Sequence, residues 1–464
     1  MMQVATVKDS AAIAVRNPFS GVIVGEVGAS SQAEIAVAVA RAKIAQHAFR
    51  RSTPAIRRAL LDRLAAEIAS DADNLARIIS CEMGKTIREA RNEVRRAQNT
   101  LKLSGDAATF LDGEALHCAI VEGGADRLAT ITYEPVGVVG AITPFNYPLN
   151  LLCHKLGPAI AAGNAVVAKP SPKAPLAAAR LCELAEKAGW PRDIFQIVHG
   201  RADAALALAR APINLLSFTG GPAAGLALKN ASGLVRCLME LGGNDPLFVM
   251  PDADLDKAVA TVIGHRFEIA GQSCAAVKKL YLHRDIEARF TEALLAAVDA
   301  VVYGDPSRDD TDMGPVIDIA AAQLVADRVK ASLTGNGASL LRGGSHDGTV
   351  FAPTVVAHIA ADAPVIAQET FGPVIAIRGF EEVGHAIAEV NAGDYGLQAG
   401  IFTNDHAVIK QFSRDLMVGG MMVNEGPDFR AEHVPFGGIK SSGLGREGVR
   451  IALREMSEPK VVID

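Results

Sequence analysis

Aromatic residues are scarce in this chain. They occupy 5% of 464 positions, with one Trp and five Tyr, while Ala and Gly abound. That balance is expected where helices pack closely on sheets. Cysteine is sparse too. Cys81, Cys118, Cys153, Cys182, Cys237 and Cys274 are scattered with no CxxC pair. This argues against a disulfide framework or a zinc site, and no metal is expected. Most of these thiols read as small buried hydrophobes in a reducing compartment. No apolar run approaches the roughly 18 residues of a membrane helix. The opening "MMQVATVKDSAAIAV" lacks the charged and apolar regions of a secretion signal. A cytoplasmic protein with no membrane partner is therefore expected. Positive charge is not in excess either. A net charge of -6 and an isoelectric point near 6.0 leave no nucleic-acid footprint. The basic pairs Arg50-Arg51 and Arg95-Arg96 read as solvated helix faces.

What is present is length and alternation. The chain is long enough for two to four domains and for a buried reaction site. The first hundred residues read mostly as helices. Ser31 and Glu34 form a capping box. Thr53 and Pro54 open a second helix, Gly84 closes a third, and a fourth runs from about Thr86 to Ser104. Residues 115–134 read as a hairpin around "EGGAD". Continuous apolar strands and helices then alternate from "VGVVGAIT" to "LVRCLMEL", which implies a parallel sheet covered on both faces. A second α/β run begins near Pro251, and "PKVVID" ends the chain as a short extended piece. "GLGREG" at Gly443 to Gly448 matches a dinucleotide fingerprint, but no buried strand precedes it and no βαβ unit follows. A glycine-rich loop that shapes or lines a site is expected there instead.

Several short motifs stand at strand ends or tight turns, where packing explains them poorly. They are "TPFNYP", "AKPSPKAP", "SFTGG", "MELGGNDP", "GQSC", "QETFGPV" and "PFGGIKSSGLGREG". In this order and spacing they resemble the aldehyde dehydrogenase superfamily over essentially the whole chain. The resemblance implies two doubly wound α/β domains with mostly parallel sheets and a small β oligomerisation arm. The expected dinucleotide-binding domain takes 1–114 and 136–242, and the catalytic domain 243–441. The arm takes 115–135 and 457–464, and 442–456 returns to the first domain. A homodimer or homotetramer follows from the arm.

The chemistry fits the residues. Oxidising an aldehyde needs a nucleophile, and a thiol is intrinsically suited. The resemblance makes Cys274 that nucleophile. It makes Asn146, with the Cys274 backbone N–H, the oxyanion donor, although Asn146 alone could be a turn residue before Pro148. Glu240, an acid ending an apolar strand, becomes the base for hydrolysis of the thioester. The coenzyme-A-acylating branch usually lacks that glutamate, so a free acid product is expected. Coenzyme A acylation, a non-catalytic dinucleotide-binding scaffold and a cysteine hydrolase are the alternatives.

By the same resemblance the dinucleotide meets Thr143, Pro144, Phe145, Lys169, Ser171, Pro172 and Lys173. It also meets Phe218, Thr219, Gly220, Gly221, Leu241, Gly242, Glu369 and Phe371. NAD-preferring members often carry a glutamate three positions after the lysine, where this chain has Pro172 followed by Lys173. NAD and NADP are both permitted, with a slight lean to NAD. Tyr147, Asn150, His154, Ser273, Arg430, His433 and Phe436 are the expected substrate pocket. Asn150 and His154 are four apart and share a helical face. Arg430 suits a carboxylate, sulfonate or phosphonate, though it also fits a plain surface charge, and His154 a satisfied helix histidine. The resemblance is closest to the branch of lactaldehyde, phosphonoacetaldehyde and non-phosphorylating glyceraldehyde-phosphate dehydrogenases. A small polar or anionic aldehyde is expected as substrate.

Overall fold

A computed structural model describes residues 12–335 and 337–464. The reading of residues 1–11 as free of a secretion signal lies outside them. The expected helical start is present, with its local causes visible. Ser31 and Glu34 cap Gln32–Phe49 reciprocally, and the Thr53 side chain accepts the Ile56 N–H ahead of Pro54–Ser70. Ala72–Met83 stops at Gly84, whose φ of 79° is left-handed. A second capping box, Thr86 with Glu89, opens Ile87–Ala107. An antiparallel pair, Ala12–Arg16 with Ile23–Gly28, precedes these helices and was not anticipated.

The first sheet has six strands. Their order is Gly443–Leu444, Arg236–Glu240, Leu215–Thr219, Val138–Ile142, Ala165–Lys169, Phe195–Ile197. All are parallel except the first, which pairs antiparallel with Arg236–Glu240. The chain builds outward from Val138–Ile142 to Phe195–Ile197, then returns to the other side with Leu215–Thr219. That reversal opens a crevice beyond the carboxyl ends of the two central strands.

The second sheet has seven strands. Their order is Ser339–Arg342, Thr354–Ala357, Val374–Phe380, Lys279–His283, Pro246–Val249, Gln398–Phe402, Gly420–Val423. Only Ser339–Arg342 runs antiparallel. Pro246–Val249 begins this sheet, earlier than the expected start near Pro251. It follows Glu240 through a turn without an intervening helix, so the alternation that marks a new α/β unit is missing there. Glu240 ends a strand of the first sheet, whereas Cys274 and Glu369 precede strands of the second. The carboxyl edge of one sheet thus faces the amino edge of the other.

The hairpin of Glu114–His117 and Leu128–Pro135 is present. Ser457–Ile463 pairs antiparallel with its longer strand, giving a small three-stranded sheet. Among the described residues no helix is long and apolar enough to cross a membrane. Of the cysteines, only Cys153 is fully buried. Cys81 is exposed and the others are partly so, contrary to the expectation of mostly buried thiols.

Candidate active site

A cavity of about 640 Å³ lies between the two sheet edges. Cys274, Asn146 and Glu240 all line it. The loop carrying Cys274 is fixed from several sides. Ile269, Ala270 and Gly271 take left-handed φ values of 45°, 52° and 71°, a turn that a β-branched residue such as Ile269 adopts only under restraint. The Ile269 N–H donates to Glu89 Oε1 at 2.7 Å. Gln272 Nε2 donates to the Ile269 carbonyl, and Gln272 Oε1 accepts from the Ile317 N–H, both at 2.9 Å. Lys278 Nζ holds the carbonyls of Ser273 and Cys274. Burial pushes the Cys274 thiol up, Lys278 opposes that, and Asp428, Glu369 and Asp245 add to it.

Asn146 follows the strand Val138–Ile142. Its Nδ2 donates to the Gln272 carbonyl at 2.8 Å, and its Oδ1 accepts the Tyr147 N–H at 3.2 Å. One N–H of the amide is left to point elsewhere. Glu240 ends its strand with Oε2 buried and without a hydrogen-bond partner. Gly437 has a φ of 146°, which favours glycine, and a Cβ there would stand 2.6 Å from Glu240 Oε1 and displace the carboxylate. Burial raises Glu240 well above the usual carboxylate range, and Glu447 adds to the rise against Arg430, Lys155 and Arg446.

Glu447 is the residue that sequence reasoning missed most plainly. It belongs to the "GLGREG" segment and lines the cavity. Lys155 Nζ donates to its Oε1 and Arg430 Nη2 to its Oε2, at 2.9 and 2.8 Å. Burial alone would raise Glu447, but Lys155 and Arg430 hold it below the usual range. The expectation of a site-lining loop therefore holds, with a buried ionic cluster beside Glu240 as its content.

The crevice end of the cavity carries Thr143, Pro144, Phe145, Lys169, Ser171, Pro172, Phe218, Thr219, Gly220, Gly221, Leu241 and Gly242. Thr143 Oγ1 is buried without a partner. Gly221 caps the helix Pro222–Ser232, and a Cβ there would meet nothing within 4 Å. Together these offer an unspent hydroxyl and a helix N-terminus open to a pyrophosphate. Burial lowers Lys169 to about 8. Across the cavity Glu369 Oε1 accepts the Gly243 N–H at 3.0 Å. A Cβ on Gly242 would run into Glu369 Oε2, so a side chain there would push the carboxylate aside. Phe371 packs edge-on against Phe145, centroids 6.3 Å apart. These residues fit a dinucleotide. Arg201 also lines this end and was not anticipated.

Four expectations are corrected. Lys173 does not line the cavity, because Asp318 engages it at 2.6 Å. His433 is exposed and does not line it. His154 is buried behind the wall, with Nε2 against Glu432 Oε2 at 3.0 Å and Nδ1 against Arg430 at 3.3 Å. Arg96 is not on a solvated face. It lines the cavity and pairs with Glu432 at 2.8 Å, while Arg50, Arg51 and Arg95 are exposed. Tyr147, Asn150, Ser273, Arg430 and Phe436 do line the cavity. Arg430 stacks 4.3 Å over the Phe436 ring.

Comparison with known proteins places the whole chain in one family. The model of the "Aldehyde dehydrogenase family" matches residues 6–462. A 3-sulfolactaldehyde dehydrogenase of Priestia aryabhattai is 38% identical, over 97% of this chain and 94% of its own length. A sulfoacetaldehyde dehydrogenase of Neptuniibacter caesariensis is also 38% identical, over 96% and 98%. The crystal structure of glyceraldehyde-3-phosphate dehydrogenase GapN from Methanocaldococcus jannaschii, complexed with NADP, superposes with a TM-score of 0.94. It is 35% identical and covers 99% of this chain and 100% of that one. The chain belongs to the aldehyde dehydrogenase family.

Proposed function

We propose that this enzyme oxidises a small polar or anionic aldehyde to its carboxylic acid through a thioester on Cys274. The observation that carries the reading is the single cavity onto which Cys274, Asn146 and Glu240 open. NAD or NADP, bound in the crevice of the first sheet, supplies the hydride acceptor. The Cys274 sulfur attacks the aldehyde carbon, and the Asn146 amide with the Cys274 N–H holds the resulting oxyanion. Donors of this kind are worth roughly 100- to 1000-fold in turnover. Once the thioester has formed, Glu240 takes a proton from the attacking water. Lys155 and Glu447 pair with each other at 2.9 Å, and their charges act on Glu240 in opposite directions.

The first α/β body, 1–114 with 136–242, carries the dinucleotide in this proposal. Residues 243–441 carry the thiol, and 442–456 return Glu447 to the shared site. The relatives acting on sulfonated aldehydes support a polar or anionic substrate. Arg96 and Arg430 support it from this chain, although each already holds a carboxylate. Nothing acidic lines the cavity around Lys169, Ser171 and Arg201, which supports acceptance of NADP beside NAD. The small three-stranded sheet supports a dimer or a pair of dimers, and a cytoplasmic setting suits its free thiols.

Aldehyde-dependent formation of reduced cofactor tests the reading. Cys274→Ala abolishes it. Glu240→Gln leaves a burst of reduced cofactor with little steady turnover. Unchanged steady turnover in the glutamine variant rules out Glu240 as the base. Incorporation of added coenzyme A into the product points to the acylating alternative.

A further inference from the structure

One buried ammonium beside the nucleophile has no part in the chemistry proposed above. Lys278 is 1% exposed and does not line the cavity, whereas Ser273 and Cys274 do. Its Nζ donates to the Ser273 carbonyl at 2.9 Å and also to the Cys274 carbonyl. Glu369 Oε1, 3.7 Å away, supplies the matching charge. Gly243 packs against the Cys274 carbonyl, since a Cβ there would stand 2.5 Å from its oxygen. Two successive peptide units around the reactive sulfur are thus held by one ammonium.

A peptide unit is planar and trans, so a carbonyl and the N–H that follows it point in opposite directions. Drawing the Ser273 carbonyl towards Lys278 therefore turns the Cys274 N–H away from Lys278. That N–H has no hydrogen-bond partner among the described residues. It is unspent, as a donor aimed at charge that appears only during the reaction must be. Resting on the proposed aldehyde oxidation, we propose that Lys278 is a positioning residue, which aims the Cys274 N–H at the oxyanion by holding the carbonyls on either side of that residue. It transfers no proton and forms no bond to the substrate. Its charge also opposes the rise of the Cys274 thiol. The two effects separate by experiment. Iodoacetamide meets the same sulfur, which displaces iodide from a saturated carbon, and no oxyanion forms.

The test measures two rate constants in the unmodified enzyme, Lys278→Met and Lys278→Arg, all at saturating dinucleotide. One is reduced-cofactor formation in a single turnover, with the best substrate among 2-hydroxypropanal, propanal and sulfoacetaldehyde. The other is alkylation of Cys274 by iodoacetamide, followed by peptide mass. Lys278→Met should lower the single-turnover rate at least about tenfold more than it lowers alkylation, since a whole oxyanion donor is worth roughly 100- to 1000-fold. Lys278→Arg keeps a charged donor and should recover part of that excess. Equal losses in the two reactions overturn the proposal, because the lysine then acts only through its charge on the sulfur. An unchanged single-turnover rate in a folded Lys278→Met variant overturns it as well. If that variant fails to fold, Lys278→Leu takes its place in the comparison. Failure of both to fold makes Lys278 a support of the loop alone and also overturns the proposal. Oxidation of no aldehyde by the unmodified enzyme with either dinucleotide defeats the proposed function instead, so the two failures are distinct.

Discussion

Burial favours the neutral forms of both the Cys274 thiol and the Glu240 carboxyl. For Glu240 this has a sign. The base acts only when ionised, and its raised value means that ionisation is lost as pH falls, well before an ordinary glutamate near 4.5 would protonate. Steady-state turnover should therefore show an acid limb above that range, while the Cys274-dependent burst need not share it. A pH profile of both phases is the check, and a turnover limb at or below about 4.5 speaks against Glu240. At the other end of the cavity Arg201 is an exposed cation without an ion-pair partner among the described residues, while Lys173 is held by Asp318. Arg201→Ala should lower the ratio of kcat/KM with NADP to that with NAD by roughly tenfold, the worth of one charge-assisted hydrogen bond. An unmoved ratio removes Arg201 from the 2′-phosphate. The sequence carried a cue for Glu447, an acid inside a glycine-rich loop. It pointed nowhere because the loop's partner, Lys155, lies 292 positions away.

Among the elements, Ile87–Ala107 positions more of the site than any strand end does. Glu89, Glu93, Arg96 and Thr100 follow one another at helical spacing and so share a face. Glu89 holds the turn before Cys274. Glu93 Oε1 accepts the N–H groups of Leu149 and Asn150 at 2.9 and 3.1 Å, where the helix Asn150–Ala162 starts. Glu93 Oε2 meets Lys85 Nζ at 2.6 Å with both side chains fully buried. Thr100 donates to Asn150 Oδ1 at 2.8 Å. Glu93→Ala leaves a buried ammonium and two N–H groups without an acceptor. Breaking such a pair costs about 3–5 kcal/mol, to be seen as a lowered midpoint in denaturant unfolding. A midpoint like that of the unmodified protein means that Lys85 finds another partner. The face itself was legible as a helical period. Its direction was not, because a polar stripe reads alike whether it meets water or another polar wall.

For the whole molecule, the three-stranded sheet leaves Ser457–Ile463 as an unpaired edge. Val461, Val462 and Ile463 are 55%, 53% and 55% exposed, and Leu116 on the opposite edge strand is 50% exposed. An apolar edge with free backbone groups invites pairing with another chain. Light scattering at micromolar concentration should give a dimer or tetramer. Lysine at both Val461 and Ile463 should shift it towards monomer with the circular dichroism retained. A monomeric unmodified protein contradicts the proposed assembly.

Caps, the left-handed stop at Gly84, the apolar strands and the reactive motifs are local. Neighbours within a few residues cause them, so the sequence by itself determined most elements and the alternation of both α/β runs, and its resemblance to the aldehyde dehydrogenases made Cys274, Asn146 and Glu240 candidates. The partners of the charged side chains around the site were decided only in the tertiary structure. Packing turned Arg96 inward onto Glu432, set His154 behind the wall, left His433 in solvent, tied Lys173 to Asp318 and brought Glu447 beside Glu240. Charges find these partners across hundreds of positions, and the cost of burying them is settled by geometry that no local pattern encodes.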